Sequence, residues 1–64
     1  MKNIEVTEQT FDRLFAPAMH IKNEEKETHV IEHFYNKELD QRGKRVFNYV
    51  SSSVWQYYLI DINA

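Results

Sequence analysis

The stretch Asn23-Glu24-Glu25-Lys26-Glu27-Thr28-His29-Val30-Ile31-Glu32-His33-Phe34-Tyr35-Asn36-Lys37-Glu38-Leu39-Asp40 decides how this chain folds. Val30, Ile31, Phe34 and Tyr35 recur at the i, i+1, i+4, i+5 spacing that lines one stripe of a helix. Asn23 suits the N-cap, and Glu24, Glu25 and Glu27 sit at the positive end of the helix dipole. Gly43, the sole glycine, follows Arg42 where a left-handed residue would close the helix. The pattern predicts a central helix, with every other segment packed on its apolar stripe.

Toward the N-terminus, Lys2–Thr7 alternates, with Ile4 and Val6 on one side and Asn3, Glu5 and Thr7 on the other. That is the period of a half-buried strand. Thr7 can cap a first helix from Glu8 to about Ala16, whose apolar stripe is Phe11, Leu14 and Phe15. Pro17 ends it, because a proline ring clashes with the preceding turn and removes a backbone donor. Toward the C-terminus, Lys44–Val50 and Val54–Ile62 are rich in β-formers around Ser51-Ser52-Ser53. They predict a hairpin in which Val50 faces Val54, Tyr49 faces Trp55, Phe47 faces Tyr57 and Val46 faces Tyr58. The expected fold is α+β with the order β-α-α-β-β: a short N-terminal strand, two helices and an aromatic hairpin. Residues 1–64 form a single small domain.

A chain of 64 residues buries a small core and is marginal alone. It has no cysteine, so neither a disulfide nor a thiolate metal site supports it. Nine aromatic residues point to an aromatic core, oligomerisation, or both. The net charge is −2, yet the halves differ. Residues 1–32 carry four basic against seven acidic side chains, and residues 33–64 carry four against three. Such a chain is no polycation, so a nucleic-acid contact needs a local patch or a dimer. No apolar run is long enough to span a bilayer. The expected location is the cytoplasm.

His29-Val30-Ile31-Glu32-His33 matches the inverted zinc-protease pattern, in which two histidines one helical turn apart share a metal. On the predicted helix both face away from the apolar stripe, and no third ligand is evident. No metal is expected. No Ser-His-Asp set, nucleophile elbow or glycine-rich phosphate loop is present, so neither a catalytic residue nor a cofactor is expected, and the chain is not read as an enzyme. Arg42, Lys44 and Arg45 cluster beside Tyr57 and Tyr58, which is the composition of a phosphate-contacting patch with stacking partners.

The order of strand, short helix and longer helix over residues 1–42, starting Met-Lys-Asn-Ile-Glu-Val, resembles the ribbon–helix–helix family of DNA-binding proteins. The start also resembles the N-terminal, self-associating segment of the replication-origin sequestration protein. The resemblance implies a homodimer whose paired N-terminal strands enter the major groove. It would place Lys2, Asn3, Glu5 and Thr7 on DNA, and the basic residues Arg42, Lys44 and Arg45 would add phosphate contacts. The function expected first is therefore a small dimeric DNA-associated regulator, transcriptional or antitoxin-like. The alternative is a phage- or plasmid-type inhibitor of a host protein. In that reading the N-terminal strand joins the hairpin within one sheet. The partner then meets Glu24, Glu25 and Glu27, or the aromatic face of Trp55, Tyr57 and Tyr58.

Overall fold

The computed structural model describes residues 2–51 and 54–61. Its frame is one five-stranded antiparallel sheet with a single α-helix on one face. The chain runs β1 (Lys2–Val6), α1 (Glu8–Leu14), a 3-10 turn (Pro17–Met19), β2 (His20–Glu25), β3 (His29–Asn36), β4 (Gln41–Asn48) and β5 (Trp55–Asp61). Across the sheet the order is β1-β5-β4-β3-β2. β1 and β2 therefore lie at opposite edges, and α1 with the 3-10 turn carries the chain from one to the other. At the usual strand spacing that crossing is about 19 Å.

The β-α-α-β-β layout is overturned at the central stretch. Asn23–Asp40 is not a helix but the end of β2, a turn, β3 and the turn that leads into β4. Asn23 caps nothing; it pairs with Glu32 across β2 and β3. Strand alternation separates the supposed stripe into two faces. Val30, Glu32 and Phe34 point toward α1, and Ile31, His33 and Tyr35 point away from it. A chain of β-branched and aromatic residues with large side chains at both parities suits a strand half-buried on each face. The acidic run Glu24–Glu27 is the hairpin end between β2 and β3, closed by the Lys26 amide donating to the His29 carbonyl at 2.8 Å. The two-helix arrangement implied by the ribbon–helix–helix resemblance is absent.

The first strand and helix form where the sequence places them. The Thr7 hydroxyl accepts from the Thr10 amide, and α1 ends at Leu14, ahead of Pro17. The pairing of β1 is with β5, Ile4 opposite Leu59 and Val6 opposite Tyr57. The N-terminal strand thus joins the hairpin within one chain. The hairpin register differs from expectation by two residues. Phe47 pairs with Trp55, Val46 with Gln56, Arg45 with Tyr57 and Lys44 with Tyr58. A two-residue shift keeps each side chain on its expected face while lengthening the loop. Tyr49, Val50, Ser51 and Val54 belong to that loop, and Ser52, Ser53 and Ile62 lie outside the described residues.

The core lies between α1 and the sheet. Phe11, Phe15, Phe34 and Tyr57 are its buried members. Phe11 meets Phe34 edge-on at 5.2 Å and lies 5.2 Å from Tyr57 and 4.7 Å from Phe15. Each such ring contributes about 1.5–3 kcal/mol by burial. Leu14 packs against this cluster while half-buried, and Val30 and Ile31, expected in the core together, are half-buried on opposite faces. Gly43 closes no helix. It lies in β4, where the Phe15 ring rests directly on its α-carbon.

Candidate functional site

Placing α1 on one face leaves the other face of the sheet without a covering layer among the described residues. Its side chains follow from the strand registers. One row across the sheet is Lys22, His33, Lys44, Tyr58 and Glu5. The next is Tyr35, Arg42, Ile60 and Asn3. A third, Glu24, Ile31, Val46 and Gln56, supplies a half-buried apolar centre.

Each tyrosine on this face carries a cation. The Arg42 guanidinium lies 5.4 Å from the centre of the Tyr35 ring, and the Lys44 ammonium lies 5.8 Å from that of Tyr58. Both distances are within the range of cation–π attraction. Tyr35 donates its hydroxyl proton to Asp40 at 2.8 Å, and that bond pushes the phenol above its ordinary value, so the ring stays neutral. Asp40 adopts a left-handed backbone, φ 49°, in the β3–β4 turn, which aims its carboxylate back at Tyr35. His33 donates from Nε2 to Glu24, and Lys26 lies 3.5 Å from the same carboxylate. Glu24 is thereby held below the ordinary carboxylate range, chiefly by the His33 hydrogen bond, against the opposing effect of desolvation and with lesser help from the charges of His33, Lys26 and Lys22.

Charge is unevenly shared between the faces. Lys22, Arg42 and Lys44 project from the open face, and of the ten acidic residues only Glu5 and Glu24 project from its strands. With Asp40 turned onto Tyr35 from the β3–β4 turn, these three cations meet three carboxylates, so the open face is an aromatic surface close to charge balance in a chain of net charge −2. Tyr35 and Tyr58 stand two strands and two residues apart, about 12 Å by strand spacing and rise.

The residues singled out from sequence separate between the two faces. Asn3, Glu5, Arg42 and Lys44 share the open face. Lys2 and Arg45 are on the helix side, and Thr7 is occupied as the cap of α1. Arg45 is ion-paired with Glu32 and packed between Phe34 and Trp55. Of the alternative partner set, Glu24 and Tyr58 lie on the open face. Glu25, Trp55 and Tyr57 lie on the helix side, and Glu27 is in the β2–β3 turn. His33 and Tyr35 were missed because a helical reading of residues 23–40 hides the alternation that groups them, and Lys22 because the strand that carries it, β2, was not expected.

The histidine pair also changes meaning. In a strand, His29 and His33 share a face but stand about 13 Å apart along the chain, too far to hold one metal. Among the described residues no three His, Cys, Asp or Glu side chains come together as a metal site. Likewise no described helix is long and apolar enough to cross a membrane. No protein-family model, curated protein or solved structure matches this chain. Its chemistry is therefore read from its own side chains.

Proposed function

We propose that this protein is a small nucleic-acid-binding regulator, not an enzyme, and that it holds a single strand across the open face of its sheet. One observation carries the reading: two tyrosines on that face, each with a cation over its ring. Bases stack on aromatic rings whatever their sequence, and the neighbouring cations meet the phosphates. The same geometry disfavours duplex grooves. Five strands span about 19 Å between edge axes, whereas the major groove is about 12 Å wide and admits a helix or a two-stranded ribbon.

The reading includes a homodimer. Among the described residues the outer edge of β1 has no neighbouring strand, and Ile4 at its centre is 41% exposed. Two β1 edges paired about a twofold axis would extend the open face into a second copy.

Fluorescence anisotropy with a labelled single strand of about 12 nucleotides tests the binding. Tyr35→Ala and Tyr58→Ala should each weaken it by about 1–3 kcal/mol. Lys44→Ala should lower the salt slope by about 0.7, the value for one phosphate of a single strand. Unchanged affinity in Tyr58→Ala, or a preference for duplex, would sink the proposal. Of the residues the host-protein alternative would use, Glu24 and Tyr58 lie on this same face. That alternative predicts no salt-dependent binding of any single strand.

A further inference from the structure

The helix side of the sheet holds a separate cleft of about 630 Å³, between the C-terminal end of α1 and strands β3 and β4. Phe11, Phe15 and Phe34 form its apolar wall, and Asp12, His20, Glu32 and Arg45 its polar rim. Arg45 is the unusual member. Its guanidinium lies 4.8 Å from the centre of the Trp55 ring and 5.3 Å from that of Phe34, and its Nε donates to Glu32. These contacts restrain its plane. Only Nε is used, so the two terminal amino groups, with four N–H donors, have no protein acceptor among the described residues.

A restrained guanidinium with unused donors beside an apolar wall is a receptor for a planar oxyanion, because carboxylates accept two parallel N–H bonds from arginine. The rim limits the charge of the guest. Glu32 already balances Arg45, and Asp12 adds a negative charge, so a dianionic phosphate is disfavoured against a monoanion. We propose that this cleft binds a carboxylate carried on a flat aromatic body. The site is on the opposite face from the nucleic-acid surface and stands independently of that reading.

Trp55 is the only tryptophan and packs on Arg45, so its emission reports this cleft. The full chain is titrated with benzoate and, in parallel, with benzamide, which keeps the ring and loses the charge. A saturable change with benzoate and none with benzamide is expected. Arg45→Lys should weaken binding about tenfold by losing the fork, and Arg45→Gln should abolish it. Asp12→Asn, at an exposed position of α1, should tighten it. A third pair of probes, an acetylated dipeptide ending in phenylalanine with a free or an amidated terminus, separates two sources of the same group. Binding of the free peptide acid alone makes a chain terminus the guest; binding of benzoate makes it a small acid. Equal responses to benzoate and benzamide would overturn the proposal. So would a response surviving in Arg45→Gln, weaker binding in Asp12→Asn, or no saturable response to any carboxylate. If Arg45→Gln loses its circular-dichroism signature, the benzamide comparison and Asp12→Asn decide the matter.

Discussion

Gly43 sets how closely α1 can approach the sheet. A β-carbon there would stand 2.5 Å from Phe15 Cε2 and 2.6 Å from its Cζ, well inside contact distance, and 3.1 Å from Phe11. The two rings are largely buried and ring-packed, so neither can swing aside freely. Gly43→Ala should therefore destabilise the fold by about 1–3 kcal/mol, the usual cost of overpacking. The urea midpoint should fall with an unchanged slope, and a midpoint equal to that of the parent would show that Phe15 does not rest on β4. Asn36 plays a complementary part at the other end of the core. Buried to 6% exposure, it donates from Nδ2 to the Leu14 carbonyl at 2.6 Å and accepts from the Leu39 amide at 3.2 Å. One side chain thus ties the end of α1 to the β3–β4 turn, satisfying a carbonyl that the helix terminus leaves without a partner.

β3 is the element on which the molecule turns, since it pairs with β2 and β4 and supplies side chains to both faces. Its link to β2 on the open face is the His33–Glu24 hydrogen bond, which lowers the Glu24 carboxyl below its ordinary value of 4.5. A carboxyl lowered in the folded state binds protons more readily when unfolded. Its contribution is present above the ordinary value and is lost as pH falls through the folded one. Because Glu24 is solvent-accessible, the effect is small. Chemical denaturation from about pH 6 down to about pH 3 should show a shallower acid decline in Glu24→Gln than in the parent. Identical curves would mean that the His33 bond is not maintained in solution.

The whole molecule has two free edges of different character among its described residues. β2 exposes Ile21 but carries a register irregularity between His20 and Lys22, which discourages strand addition. β1 pairs with β5 without irregularity, contains no proline and exposes Ile4. An edge of that kind accepts another strand. Sedimentation or light scattering should find a concentration-dependent dimer that Ile4→Lys converts to monomer. A strictly monomeric mass at high concentration would exclude the homodimer while leaving the open face available for a strand of nucleic acid.

Local signals were legible wherever the chemistry is local. Alternation marked Lys2–Thr7 as a strand, Thr7 marked the start of α1 and Pro17 its end, and β-rich runs marked β5 and the part of β4 from Lys44 onward. Each depends on neighbours a few residues away. The central stretch was misread because Val30, Ile31, Phe34 and Tyr35 satisfy a helical stripe and a two-faced strand equally well. The choice between them belongs to partners distant in the chain: β4 at residues 41–48 on one side, and on the face the rings of Phe11 and Phe15. For the same reason, the surface carrying Tyr35, Arg42, Lys44 and Tyr58 was visible only as a basic cluster near two tyrosines. Strand register joined two of its cations to Lys22 and Tyr35 and removed Arg45 and Tyr57 to the other face. Capping and alternation are written within a few residues of one another; which faces meet is decided when strands far apart in sequence pair and a helix covers one side of them.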